Sequence, residues 1–225
     1  MKELNQTFVL FNPKDIVSGD FYWLYAKDNK ILFAAVDCTG HGVSGALMAM
    51  TAISAMNQAI DQQDKGQIDV VTTLTILNRI LKQTLRFKDI DAGLDLAFCK
   101  INHSNKQIEF GSAGLPLFEY KDGTVREYRL DSQSIGYRAS MLDYPYKTTK
   151  IEADGSSFFL TTDGLLDEPG GQKGFSFGTD RFKSMIKYFG NQPMKGQIVS
   201  YQKEIDTYRG QYKQRDDQTM IGFRL

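Results

Sequence analysis

The stretch KILFAAVDCTGHGVSGALM, residues 30–48, decides the fold. Lys30 to Val36 is a short apolar run that reads as a buried strand. It ends in Asp37-Cys38-Thr39 and then in Gly40-His41-Gly42-Val43-Ser44-Gly45, literally GxGxxG. An Ala- and Met-rich segment without proline follows and reads as a helix over 43–61. A strand, a glycine turn and a helix in this order would suit a dinucleotide-binding enzyme. Three features oppose that reading. Asp37 stands immediately before the glycines and would repel a pyrophosphate. The segment about 20 residues on, where a strand should end in a ribose-binding acid, is the polar run Gln58–Gln67. The rest of the chain is rich in hairpins rather than in βαβ units. The glycines are better read as a tight turn at Gly40 and Gly42 and a close helix contact at Gly45.

Outward from this stretch, FYWLY (Phe21–Tyr25) forms a hairpin with Lys30–Val36 through a turn at Asp28-Asn29. A second helix spans 68–87, with Leu74, Leu77, Leu81 and Leu85 at helical spacing. Strand-like runs follow at 94–101, 107–110, 115–120, 125–130, 146–151 and 157–162, separated by turn residues. A glycine-rich loop, Pro169–Gly178, reads as pliable and as a contact for substrate. Two helices at 179–189 and 194–208 and a last strand at 219–225 complete the order. Strands, two helices, many hairpins, two helices and one strand make an α+β order, with antiparallel sheets covered by helix pairs. The stripe of Met48, Met50 and Met56 with Ala46, Ala49, Ala52 and Ala55 reads as core packing.

The chain has 225 residues, 27 Lys+Arg and 27 Asp+Glu, hence zero formal net charge. With no K/R-rich run, a nucleic-acid-binding field is excluded as a reading. Two cysteines, Cys38 and Cys99, give no zinc knuckle and no disulfide framework. No apolar run approaches the roughly 18–20 residues that cross a bilayer, so no membrane insertion is expected. The start, MKELNQTFVLF, is too short and polar for a signal peptide. The expectation is one cytoplasmic domain over 1–225, with a strand-like pattern from almost Met1, as in a piece of a longer regulatory protein.

Four aspartates share one setting at strand ends. Asp20 opens Phe21–Tyr25, Asp37 closes Ile31–Val36, Asp163 follows Phe158–Thr162, and Asp216 precedes the last strand. Any one of them could be a turn or cap residue; Asp163-Gly164 reads as a turn by itself. Together, carboxylates gathered from remote strand ends repel one another. A hard divalent cation, magnesium or manganese, relieves that repulsion with oxygen ligands and retained waters. Two such ions about 4 Å apart clamp a phosphate and activate a water.

The blocks DIVSGDFYW (Asp15–Trp23), AVDCTGHGVSGALM (Ala35–Met48), TTDGLLDE (Thr161–Glu168) and DDQTMIGF (Asp216–Phe223) stand in the order of the bacterial SpoIIE-type phosphatases. The chain resembles this branch of the metal-dependent, type-2C (PPM) serine/threonine protein phosphatases. The resemblance implies an αββα sandwich of two antiparallel sheets flanked by helix pairs. It implies hydrolysis of phosphoserine or phosphothreonine by a metal-activated water at two Mn²⁺ or Mg²⁺ ions. Asp37 would bridge both ions, with the Cys38 carbonyl on one; Asp163 and Asp216 would hold the second. Asp20 would bind directly or through water. Asp217 competes with Asp216, and Asp167 matches an acidic position that helps to hold a third ion. The implied partner is a phosphorylated regulator, anti-sigma-antagonist-like or similar, and the resemblance leaves room for a homodimer contact or an upstream sensor domain. An inactive pseudophosphatase that only binds a phosphoprotein is the alternative.

One departure stands out. Eukaryotic members carry a histidine two residues after the bridging aspartate; here that position is Thr39. His41 stands four residues after Asp37 and reads as a turn residue at a helix start.

Overall fold

The computed structural model describes residues 6–27, 30–64, 68–86, 91–102 and 104–225. In chain order its elements are β1 (Thr7–Asn12), β2 (Phe21–Lys27), β3 (Lys30–Cys38), α1 (Gly42–Asp61), α2 (Val70–Leu85), β4 (Leu94–Asn102) and β5 (Gln107–Ala113). They continue with β6 (Leu117–Lys121), β7 (Thr124–Tyr128), β8 (Thr148–Glu152), β9 (Ser157–Thr161) and α3 (Asp163–Leu166). The two-residue strands β10 (Pro169–Gly170) and β11 (Phe175–Ser176), α4 (Gly178–Phe189), α5 (Met194–Arg209) and β12 (Gln218–Arg224) complete them.

Two five-stranded sheets result, ordered β1-β12-β9-β6-β7 and β2-β3-β4-β5-β8, every pairing antiparallel. Strand β3 shows why they stack. Successive side chains point to opposite faces, and both of its faces are apolar. Phe33 and Ala35 join Phe110, Leu160 and Phe223 in the core between the sheets. Leu32, Ala34 and Val36 pack instead against α1 and α2, meeting Ala52, Met56, Leu74 and Leu81. The edge-to-face pair Phe33–Phe223, with ring centroids 4.7 Å apart, bridges the sheets. On the far side, Phe159 and Met220 meet Phe182, Ile186 and Tyr201 of α4 and α5. The architecture is the expected αββα sandwich.

Several expectations shift. Strand β1 pairs with β12 along its length and belongs to the first sheet; the sequence pattern there was too weak to bound a strand. The turn at Asp28-Asn29 and the end of the second helix at Phe87 lie outside the described residues. Helix α1 is, by length and composition alone, apolar enough to cross a membrane, contrary to the reading that no run approaches such a length. Its Met48, Ala49, Ala52, Ala55 and Met56 are buried in the helix–sheet core, whereas Met50 faces solvent. The glycine-rich loop is not loose. It forms the β10–β11 hairpin, seated on α5: the Gly171 amide donates to the Tyr208 carbonyl (2.9 Å), and the Tyr208 hydroxyl donates to the Phe175 carbonyl (3.0 Å).

Candidate metal centre

The site is assembled by backbones that touch without side chains between them. A Cβ on Gly19 or on Gly45 would lie 2.2 Å from the Gly40 carbonyl oxygen. The loop before β2, the turn after β3 and the first turn of α1 therefore meet in direct backbone contact. That contact is the use of the first and last glycines of GxGxxG here, and it sets Asp20 beside the end of β3. A Cβ on Gly164 would lie 2.0 Å from the Asp217 carbonyl oxygen, so Asp163 and Asp216 are drawn together in the same way.

A cavity of ≈ 200 Å³ opens where these segments meet. Four carboxylates line it: Asp37, Asp95, Asp163 and Asp216. The turn Cys38–Gly40 and Tyr137 complete the wall. The Cys38 side chain is buried in the helix–sheet core, which leaves its main chain to face the cavity. Its thiol is pushed up by burial first and then by Asp37 and Asp20, so it is no nucleophile.

Asp20 is buried outside the lining, its Oδ2 accepting from the Thr162 hydroxyl at 2.6 Å. Burial, and after it the charges of Asp217 and Asp163, raise its carboxyl to about 7 against the hydrogen bonds of Thr162 and Thr219. Asp37 is pushed up to about 10, by burial first and then by Asp20 and Asp163. Asp163, exposed at the rim, is raised by desolvation of its carboxyl. A hydrogen bond with Asp37 offsets part of that rise, and Asp167 and Asp216 add to it.

Asp216 and Asp217 separate cleanly. Asp216 lines the cavity. Asp217 is buried and turned away, accepting from the Lys14 amide (2.7 Å) and the Gly19 amide (2.8 Å). It straps the loop before β2 to the start of β12. Asp167 is exposed one turn beyond Asp163 and is not in the lining. Asp95, which the sequence reading missed, is. It lies directly across the β3–β4 ladder from Asp37. One of its carboxylate oxygens is sealed from solvent without a hydrogen-bond partner. Like charges directly opposite on one ladder are destabilising; burial raises the Asp95 carboxyl, and Ser134 and Arg129 offset part of that rise.

These residues fit hard divalent cations. The donors are all oxygen, the lining carries no basic side chain among the described residues, and one sealed carboxylate oxygen lacks a donor. As the side chains stand, no group of three or more His, Cys, Asp or Glu among the described residues is spaced to hold a metal ion.

His41 stands at the N-cap position of α1, exposed and outside the lining. Its Nδ1 is 2.9 Å from Asp15 Oδ2, and Lys14 Nζ is 2.8 Å from its Nε2. Both ring nitrogens are thus engaged away from the cavity. His41→Ala is expected to lower kcat by less than about 10²-fold, the lower end for loss of a general acid. A steady-state pH profile of parent and variant checks this.

A two-sheet sandwich with helix pairs outside and acids converging from remote strand ends defines the class of metal-dependent, PP2C-type protein phosphatases. Residues 27–225 match the family of Stage II sporulation protein E (SpoIIE). The chain belongs to this family, the SpoIIE-type branch of the PPM serine/threonine protein phosphatases. It is similar to the SiaA-PP2C domain of Pseudomonas aeruginosa, at 33% identity and a TM-score of 0.89, over 98% of this chain and 86% of that one. The PP2C domain of SpoIIE from Bacillus subtilis, solved with a fragment of its regulatory domain, matches at 18% identity and a TM-score of 0.77. That match covers 98% of this chain and 63% of that one. RsbX in complex with magnesium matches at 19% identity and a TM-score of 0.63, over 97% and 94% of the two chains. No curated protein matches the sequence.

Proposed function

We propose that this phosphatase hydrolyses phosphoserine or phosphothreonine on a small regulatory protein, with two Mn²⁺ or Mg²⁺ ions held by Asp20, Asp37, the Cys38 carbonyl, Asp163 and Asp216. The observation that carries this is the convergence of Asp37, Asp163 and Asp216 on one cavity that has no basic side chain among the described residues. When bound, such ions neutralise phosphate oxygens and make a water nucleophilic at neutral pH.

The protein's own share is placement. Asp37, at the end of a strand buried on both faces, has little freedom to move and stands between the Asp20 and Asp163 sides of the site. Thr162 fixes the Asp20 carboxylate, and Asp217 fixes the loop that presents it. The Asp216 carboxylate is steadied by the Asp217 amide, 2.9 Å from its Oδ1. Asp167, near Asp163, is the candidate for a weaker third ion. Magnesium in the related RsbX structure supports the choice of metal. The partner class, a phosphorylated regulator such as an anti-sigma-antagonist-like protein, rests on family membership.

Hydrolysis of p-nitrophenyl phosphate is expected with Mn²⁺ or Mg²⁺ and is lost in EDTA, while far-ultraviolet circular dichroism stays native because the three cores contain no metal ligand side chain. Full turnover in chelator, with metal content shown to be nil, overturns the assignment.

A further inference from the structure

The site has a donor problem. Four of its lining side chains are carboxylates, which accept hydrogen bonds when ionised and donate none. Cleaving a phosphoseryl or phosphothreonyl ester leaves negative charge on an alkyl oxygen, a poor leaving group unless a donor meets it. Thr39 cannot supply one freely. Its hydroxyl donates to the Gly93 carbonyl (3.0 Å) and accepts from the Gly93 amide (2.9 Å). The other side-chain hydroxyl among the lining residues is the phenol of Tyr137, whose oxygen lies 2.7 Å from the Thr39 hydroxyl.

Tyr137 is built into position. It belongs to the long connection between β7 and β8, yet that connection is fastened at many points. Ile135 exchanges two backbone hydrogen bonds with Leu94, each 2.9 Å. The Gly136 amide donates to Asn78 Oδ1 (3.0 Å), and Asn78 Nδ2 donates to the Met141 carbonyl (2.8 Å). Lys82 Nζ donates to the carbonyls of Tyr137 (2.8 Å), Arg138 (3.0 Å) and Ser140 (2.5 Å). The ring lies against Gly93, where a Cβ would come within 2.4 Å of it. A hydroxyl held this firmly at a cavity wall is preorganised, which is what makes a donor effective against charge that appears only in the transition state.

We propose that Tyr137 is a catalytic residue of this phosphatase, donating its phenolic hydrogen bond to the leaving seryl or threonyl oxygen. The inference rests on the phosphatase reading above. In the step, water oxygen bonds to phosphorus while the bond from phosphorus to the ester oxygen breaks. A proton from the attacking water ends on the departing alcohol, through solvent. Tyr137 donates throughout and is unchanged at the end. Because the Thr39 hydrogen is committed to the Gly93 carbonyl, the phenol is the donor of the Thr39–Tyr137 pair, and it is the phenol hydrogen that turns from the Thr39 oxygen to the substrate.

Leaving-group chemistry tests this. An alkyl oxygen needs the donor; a nitrophenolate, far less basic, needs it little. Tyr137→Phe keeps the ring against Gly93 and removes only the hydroxyl. It is expected to lower kcat on a phosphoseryl peptide by about 10²-fold, and on p-nitrophenyl phosphate by about tenfold or less. The rise in melting temperature with Mn²⁺ should match the parent's, because no metal donor is touched. Equal losses on the two substrates, or no loss on the peptide, overturn the proposal. A series of aryl phosphates on the parent enzyme provides a reading independent of the variant's folding. A shallow dependence of kcat on leaving-group basicity is expected, and a steep one overturns the proposal. A parent that hydrolyses neither substrate with Mn²⁺ refutes the phosphatase reading itself, a different result from any of these.

Discussion

Asp37→Asn is expected to melt at a higher temperature than the parent in EDTA at pH 8 and, with Mn²⁺, to lose at least about 10³-fold in turnover. The loss follows from several kcal/mol of transition-state charge stabilisation at about 1.4 kcal/mol per tenfold. The gain in stability has a sign that can be worked out. In the metal-free fold the carboxyls of Asp20 and Asp37 are raised from 3.8 to about 7 and about 10. Between those limits the folded protein retains protons that the unfolded chain has released. Stability is therefore fully present below the unfolded value and declines as pH rises toward the folded ones. Asparagine at position 37 keeps the shape of the side chain and removes its part of that decline. Each kcal/mol recovered corresponds to about 2–4 °C in a chain of this size. Well below pH 3.8 the two proteins should melt alike, because there Asp37 is neutral in either state. Metal reverses the trend, since it binds the ionised carboxylates and so binds better as pH rises. A variant that is destabilised yet fully active would remove Asp37 from the site.

The neighbouring aspartates at positions 216 and 217 should give opposite phenotypes. Asp217 accepts from two backbone amides of the loop before β2 and is buried. An asparagine there offers one acceptor oxygen and turns an NH₂ group toward a second donor. The expected cost is about 1–3 kcal/mol, the desolvation penalty of a donor left without a partner. Asp216 is half-buried at the cavity, and as asparagine its oxygen can still accept from the Asp217 amide. Asp216→Asn should thus change stability by less than about 0.5 kcal/mol. Its Mn²⁺-dependent turnover should fall by at least about 10²-fold, through loss of a ligand charge. Melting in EDTA together with initial rates in Mn²⁺ separates the two. If Asp216→Asn keeps its rate, position 216 is not a ligand.

The sheets were legible because most strands advertise themselves locally. Ile31–Val36 is a closed apolar run, and the hairpins of β4 to β7 are punctuated by turn residues. Strand β1 has no such frame; pairing with β12 defines its limits. Of the four aspartates singled out because each adjoins a strand end within a recognisable block, Asp37, Asp163 and Asp216 line the cavity and Asp20 is buried outside it. Asp95 could not be singled out in that way. It sits inside LDLAFC, where an aspartate looks like the outward residue of an alternating strand, and only the β3–β4 register brings it opposite Asp37. Tyr137 lies in a connection with no periodic signal. The preference for Asp216 over Asp217 came from the resemblance alone, whereas the role of Asp217 was hidden, because it depends on contact with the distant loop at Lys14–Gly19.

The strap between Gly19 and Asp217 joins positions 198 apart, and β1 is held in its sheet by β12. During synthesis, β2 through β5 emerge long before the strand that completes the opposite sheet. At about 5–20 residues per second the half-made sandwich waits for seconds with Phe33 and Phe110 lacking their cover. Pairings of such long range are slow to find. A nascent chain thus carries Asp20 and Asp37 without the partners that make them useful, and competence as a phosphatase arrives only when residues 216–224 have left the ribosome.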